Sequence, residues 1–203
     1  MNAELEELAR VASTCTRCRL SAGRTQVVFA DGSPDADLMF IGEGPGYHED
    51  RQGLPFVGAA GQLLNRLLGE IGMRREDVRI TNTVLCRPPG NRDPLPDELE
   101  SCQPYLLRQI ELVDPKVIVT LGNFATRVVL DKPVAISRVR GVRHPWRGRV
   151  VIPTFHPAAV LRGGGDASRV MEAVRADFGT IKETLSEAEA SGGAVVEEQL
   201  GLF

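Results

Sequence analysis

Apolar residues fall into two periods along the chain. Apolar runs at Val27–Ala30 and Leu38–Gly42 are bounded by Gly, Pro and Asp and read as buried strands, Val117–Leu121 and Val150–Thr154 read as further strands, and Val78–Leu85 is strand-like. Between them the spacing is helical. Gly61–Ile71 places Leu63, Leu64, Leu67, Leu68 and Ile71 on one face, and Pro96–Val113 opens with the proline that favours a helix start. Further helices are expected at Glu4–Ser13, after Leu121 as far as Leu130, and at Ala167–Leu185. Strands alternating with helices predict an α/β fold whose parallel sheet is covered on both faces. In such sheets ligands bind beyond the carboxyl ends of the strands, which directs attention to the loops after Gly42, Leu85 and Thr154.

Length and composition add little to this picture. At 203 residues, with 42% hydrophobic and 25% charged residues, the chain is expected to form one domain over residues 1–185. No stretch nears the roughly 18 apolar residues of a membrane span. Met1–Arg10 is acidic and amphipathic, unlike a secretory signal, so a cytoplasmic protein without membrane contact is expected, with a monomer as the default. Residues 186–203 read differently. Ser186–Glu198 is small, polar and acidic, and is expected to be a disordered linker.

Charge is unevenly placed. The net charge is -3, but five acids and no base lie between Glu183 and Phe203, so the preceding body carries a positive excess. Arg138, Arg140, Arg143, Arg147 and Arg149 crowd around His144 and Trp146, a local patch of the kind that meets phosphates, or else a solvated hairpin.

Four cysteines stand out. Cys15 and Cys18 form a C-x-x-C pair, and Cys86 and Cys102 complete the set. Disulfides are rare in the cytosol, so four thiols with one close pair point to a metal site, either zinc or an iron–sulfur cluster, against the alternative of unrelated buried cysteines. Only one pair is closely spaced, which tilts the reading toward a cluster with a structural role.

The loop after Leu38–Gly42 runs Gly42-Glu43-Gly44-Pro45-Gly46, then Glu49-Asp50, then Pro55-Phe56-Val57-Gly58. Its glycines allow close backbone approach, its carboxylates offer acid–base chemistry, and Phe56 is a ring held between stiff neighbours. It lacks the Lys-Ser or Lys-Thr of a phosphate loop. Asn82 carries both a donor and an acceptor, and suits either the edge of a pyrimidine or, standing alone, a turn or ladder cap. His156-Pro157, followed by Ala158-Ala159-Val160-Leu161-Arg162, fits an apolar wedge entering a DNA helix.

These segments together carry a resemblance. The run GEGPGYHEDRQGLPFVGAAGQLL, with TNTVLCRPPGNRDPLP, HPAAVLR and the cysteine spacing, resembles the family 4 uracil-DNA glycosylases over roughly residues 7 to 185. The resemblance implies a three-layer α/β/α fold around a mainly parallel four-stranded sheet, and a structural 4Fe–4S cluster on Cys15, Cys18, Cys86 and Cys102. It implies a monofunctional glycosylase acting on uracil in single- or double-stranded DNA and leaving an abasic site. By position, Glu43 would act on the attacking water and His156 on the departing uracil. Phe56 would stack on the base, Asn82 would read its N3 and O4 edge beside Gly42, and Glu49 would crowd C5 against thymine. Leu161 and Arg162 would enter the duplex; Arg138, Arg140 and Arg143 are expected to meet phosphates on the ground of the local charge patch alone. Gly44 departs from the family, which usually has Ala there.

Two rivals remain. A glycosylase that stays covalently attached through a histidine would need a basic, His-bearing insertion after Leu85, and Cys86–Arg92 contains no His. A non-catalytic iron–sulfur DNA-binding or clamp-associated module has no need of Glu43, Phe56, Asn82 and His156 together. Finally, Gln199, Leu200, Leu202 and Phe203 resemble the short peptide by which bacterial repair proteins bind the DNA sliding clamp, with the acidic linker as tether.

Overall fold

The strand Leu38–Gly42 is apolar at every position because it is covered on both sides. In the computed structural model, which describes residues 3–190, successive residues of the strand Leu38–Gly42 enter two different cores. Leu38 and Phe40 pack with Leu64, Leu67, Leu68, Phe178 and Ile181, whereas Met39 and Ile41 pack with Leu106, Ile110, Ala125 and Val129. The Phe40 and Phe178 rings stack at 5.9 Å. Burying one such side chain is worth about 1.5–3 kcal/mol, so the two cores together fix the sheet between its helices.

In chain order the elements are α1 (Ala3–Ser13), β1 (Asp31–Gly32), β2 (Leu38–Gly42), α2 (Tyr47–Gln52), α3 (Ala59–Glu70), β3 (Arg79–Asn82), α4 (Pro96–Val113), β4 (Val117–Leu121), α5 (Gly122–Leu130), α6 (Ile136–Val139), β5 (His144–Trp146), β6 (Arg149–Thr154), α7 (Pro157–Arg162) and α8 (Arg169–Ala190). The sheet order is β1-β3-β2-β4-β6-β5. The four strands β3, β2, β4 and β6 are parallel, as expected, and β1 and β5 add short antiparallel edges. Helices α3 and α8 cover one face and α4 and α5 the other. Among the described residues, no helix is long and apolar enough to cross a membrane.

Three boundaries differ from the sequence reading. Val27–Ala30 lies outside the sheet, although the Val28 amide donates to the Leu85 carbonyl at 2.8 Å and the Thr81 hydroxyl to the Phe29 carbonyl at 2.8 Å. Val78–Leu85 is a strand only over Arg79–Asn82, because the Thr83 and Val84 amides turn to the carbonyls of Gly42 and Glu43. Helix α8 continues through Ser186–Ala190, five residues that the sequence placed in the linker. The rest of that linker and the terminal peptide lie outside the described residues.

The arginine-rich stretch also resolves differently. Arg140 turns inward: its guanidinium holds the buried Asp177 at 2.6 and 3.0 Å and donates to the Ala173 carbonyl. Asp177 also accepts from the Thr154 hydroxyl at 2.6 Å, so one carboxylate ties α8 to the end of β6. Burial pushes the Asp177 pKa up, and Thr154 and Arg140 pull it back. Arg140 is therefore an internal ion-pair partner, and the expectation that it meets phosphate is corrected. Arg143 is exposed and pairs with Glu187 at 2.7 Å, Arg149 pairs with Asp114 at 2.5 Å, and Arg138 is exposed. Because β5 and β6 run antiparallel, their turn at Arg147–Gly148 lies at the end of the sheet away from the carboxyl ends of the parallel strands. The five arginines do not form one patch.

Removing one partner of a buried ion pair leaves the other charge stranded, at a cost of about 3–5 kcal/mol. Arg140→Ala should therefore lower unfolding free energy in a urea titration by roughly that amount. The slope of DNA affinity against salt should stay at its wild-type value, where loss of a phosphate contact would flatten it.

Candidate active site

Sheet topology brings the three loops together. In the register of β2 and β3, Gly42 pairs with Asn82, and in that of β4 and β6, Leu121 pairs with Thr154. Loops leaving Gly42, Asn82 and Thr154 therefore share one end of the sheet, where they enclose a cavity of about 380 Å³. Glu43, Glu49, Phe56, Asn82, His156 and Arg162 all line it.

Gly42 is a glycine for a steric reason. A Cβ there would lie 2.4 Å from Asn82 Oδ1 and 2.5 Å from Phe56 Cζ. The bare backbone thus allows the amide and the ring to meet beside it. Phe56 has a φ of +52°, in the left-handed region that costs a non-glycine residue about 1–2 kcal/mol. Its surroundings hold it there. Arg75 donates to the Pro55 carbonyl at 2.5 Å and the Phe56 carbonyl at 3.1 Å, while its Nε pairs with Asp31 at 2.6 Å. The Glu49 carboxylate accepts from the Val57 and Gly58 amides at 3.0 and 2.9 Å. Phe56 is 6% exposed, and its ring lies at 28° to that of His156, with centroids 5.6 Å apart.

The polar groups are held in distinct states. Asn82 is 2% exposed, and its Oδ1 has no hydrogen-bond partner among the described residues. Leaving such a group unpaired costs about 1–3 kcal/mol, so this oxygen is set to accept from a bound molecule. His156 caps α7: its Nδ1 accepts from the Ala158 amide at 3.1 Å. Burial drives its pKa down to about 4, Arg162 lowers it further and Glu49 opposes the shift. The imidazole is neutral at physiological pH, and with Nδ1 accepting, its proton sits on Nε2 as a donor. Glu43 moves the other way. Burial raises its pKa, the Asp93 charge adds to the rise, and Arg162 counters it. The Glu43 carbonyl accepts from the Thr83 hydroxyl at 2.6 Å, which fixes the backbone from which this carboxylate projects.

The four cysteines gather beside this site. Cys15, Cys18, Cys86 and Cys102 pack together with Ala12, Leu20, Val84 and Leu85, where α1 meets α4 and the loop after β3. All four are free thiols. Burial pushes Cys102 up to about 12 and raises Cys86; Cys15 and Cys18 add to both shifts, and Cys86 adds to that of Cys102. Arg24 donates to Cys86 Sγ at 3.3 Å and to the Cys15 carbonyl at 2.7 Å. Among the described residues, no three His, Cys, Asp or Glu side chains close around a single ion. Cys86 and Cys102, whose thiols burial holds protonated, nevertheless share one cluster with Cys15 and Cys18, and a four-thiol donor set suits a cationic metal centre, because binding would stabilise thiolates.

The chain's sequence matches the family model described as the uracil DNA glycosylase superfamily over residues 29–179. It is 49% identical to the type-4 uracil-DNA glycosylase of Thermotoga maritima, over 81% of this chain and 88% of that protein. Against the type-4 uracil-DNA glycosylase of Archaeoglobus fulgidus it is 44% identical over 88% of this chain and 92% of that protein. A type-5 uracil-DNA glycosylase from Mycobacterium bovis is 33% identical over 77% and 70%. The chain belongs to the type-4 uracil-DNA glycosylases.

Within this family site, the residues singled out from the sequence mostly converge. Gly42, Glu43, Glu49, Phe56, Asn82, His156 and Arg162 meet at the cavity, and Leu161 stands beside it, 44% exposed. One oxygen of Glu49 is occupied by backbone amides, so this side chain shapes the loop as well as lining the pocket. Gly44 acquires a local reason, since a Cβ there would lie 2.8 Å from Val84 Cγ2. Sequence reasoning missed Arg75, which sits in the charged turn Arg74-Arg75-Glu76-Asp77 and reads there as a solvated face. It also missed Asp93 and Arg92. Arg92 grips the fully buried Glu98 at 2.6 and 2.8 Å, which fastens the loop carrying Asn91–Pro94 onto α4.

Proposed function

We propose that this protein removes uracil from DNA by hydrolysing the bond between N1 of the base and C1′ of the sugar, leaving an abasic site. The observation that carries this reading is the buried Asn82 amide with its unpartnered Oδ1 beside the Phe56 ring. Uracil presents N3–H and O4 along one edge, and an amide answers both with one acceptor and one donor. Phe56 stacks on the extruded base, which a glycosylase must take out of the helix to reach.

The bond breaks with its electron pair leaving on the base, and C1′ becomes cationic. The neutral His156 donates from Nε2 to the O2 of the departing anion, where a donor already in place stabilises developing charge. Glu43 as carboxylate offsets the charge on the sugar, positions water and takes its proton as the new C1′–O bond forms. No lysine lines the pocket to form a Schiff base, which supports a monofunctional hydrolase. Leu161, with Arg162 next to it, fills the space that the base vacates. The exposed Arg138 and Arg143 stand as candidate phosphate contacts, Arg143 only on release from Glu187.

Cys15, Cys18, Cys86 and Cys102 would hold a 4Fe–4S cluster, a reading supported by the four-thiol donor set and its spacing. When bound, the cluster supplies a covalent cross-link between the N-terminal segment, the loop after β3 and α4. The chain is read as one catalytic domain, working as a monomer in the cytoplasm, with a tail whose Gln199, Leu200, Leu202 and Phe203 bind a sliding clamp.

Wild-type protein should release uracil from a deoxyuridine-containing oligonucleotide; no release from protein loaded with its metal centre would sink the proposal. The pH profile of kcat/KM should show one acid limb, above the ordinary carboxylate range, which is absent in Glu43→Gln. Since His156 is neutral above about pH 4, no limb should appear near 6.5, and His156→Ala should lower kcat by about 10²–10³-fold. Purified protein should be brown and contain iron that Cys102→Ser loses; stoichiometric zinc instead would overturn the cluster. Clamp binding in a pull-down should disappear with Leu202→Ala, and its absence from the wild type would refute that role.

A further inference from the structure

Five large apolar side chains are exposed among the described residues: Val11, Tyr47, Leu54, Val142 and Leu161. Three of them lie within two residues of the pocket lining. Leu161 adjoins Arg162, Leu54 lies two residues before Phe56, and Tyr47 stands between the pocket-lining residues Gly46 and Glu49. Clustered exposure of this kind marks a binding surface, where scattered exposure does not. The proposed role of Leu161 leaves Leu54 and Tyr47 unexplained.

Tyr47 is 49% exposed, yet its ring is not loose. The Arg87 guanidinium lies 5.2 Å from its centroid, that of Arg51 lies 5.8 Å away, and the His48 ring meets it edge-on. Arg87 is itself steadied by Asn91 Oδ1 at 2.7 Å. Among the described residues, neither Arg51 nor Arg87 has a carboxylate partner, whereas Arg66, Arg75 and Arg92 are all ion-paired. Two uncompensated cations flanking a half-exposed ring, at the lip of a pocket for a nucleobase, are the ingredients of a stacking platform for single-stranded nucleic acid. Position completes the case. Arg87 follows β3 and Leu161 follows β6, strands that lie on opposite sides of β2 and β4 in the sheet, so the chain carries the platform and the wedge away from different strands at the same end.

We infer that Tyr47, with Arg51 and Arg87, forms a stacking site for the unpaired base next to the extruded uracil: the base takes the place of a guanidinium over the ring, and the displaced cations turn to its phosphate. The inference rests on the uracil-excision reading for the identity of the strand. It makes the protein a better reader of single-stranded or locally opened DNA than of an intact duplex, because a paired neighbouring base cannot leave its stack to reach the ring.

The test measures binding of the full chain, by fluorescence anisotropy, to single-stranded oligonucleotides containing deoxyuridine. One set has ordinary neighbours and the other has baseless spacers on either side of the uridine. Tyr47→Ala should weaken binding to the ordinary strand about tenfold, with Tyr47→Trp near wild type and kcat little changed. On the spacer strand wild type should fall to the level of Tyr47→Ala, and Tyr47→Ala should lose nothing more. Arg51→Gln and Arg87→Gln should each flatten the salt dependence by roughly 0.7 in log–log slope. Equal wild-type affinity for both strands, or wild-type affinity in Tyr47→Ala, overturns the platform. Uracil release is followed alongside: its absence in wild type overturns the excision reading, while the spacer comparison still decides the stacking site.

Discussion

Because β2 and β3 pair so that Gly42 faces Asn82, a single missing side chain sets the geometry of everything around the pocket. A Cβ at position 42 would collide with both the Asn82 amide and the Phe56 ring, and its absence lets them approach one another across bare backbone. Phe56 in turn needs a left-handed backbone to reach that space. Arg75 and Glu49 clamp the carbonyls and amides on either side of it. Closely packed interiors transmit small displacements, so these two charged groups act on the base-binding ring without belonging to its surface.

The same enclosure sets the proton states of the two groups proposed for the chemistry. Burial disfavours the charged form of both His156 and Glu43, but the consequences are opposite in kind. A histidine that cannot become imidazolium is a fixed hydrogen-bond donor and carries no positive charge to be neutralised before the reaction. A carboxylate destabilised by burial and by Asp93 is a stronger base than one in water. Arg162 opposes the second effect and reinforces the first, which couples both groups to the short helix expected to meet DNA.

The sequence made the centre of the fold legible and left its margins obscure. Strands β2 and β4 are legible as apolar runs because both faces of the sheet are buried, and helices α3, α4 and α8 as apolar stripes facing it, whereas β3 is mostly polar and is marked only by its apolar neighbours. Two- and three-residue strands such as β1 and β5 carry no periodicity at all. The pocket residues were legible as motifs because glycines, prolines and lone polar groups cluster after strand ends. Arg140 and Arg75 were not, since an arginine in a charged stretch looks the same whether it faces solvent, phosphate or a buried carboxylate. Only the partner, Asp177 or the Pro55 and Phe56 carbonyls, distinguishes these cases, and both partners are remote in sequence. Helix α8 outlasts its apolar stripe because Ser186–Ala190 are adequate helix formers extending an established helix, where each added residue needs no new nucleus.

The shortness of β1 and β5 has a meaning beyond their effect on prediction. Every open sheet ends in strands with unpaired amides and carbonyls that can recruit another polypeptide. Here one outer strand is two residues long and bordered by the Asp31–Arg75 ion pair, and the other is three residues long with Pro145 at its centre. Neither offers a foreign chain the several consecutive hydrogen bonds needed to hold a new strand, and Pro145 has no amide hydrogen to give. These two fragments therefore act as end-stops against self-association, so that the sheet terminates within its own chain.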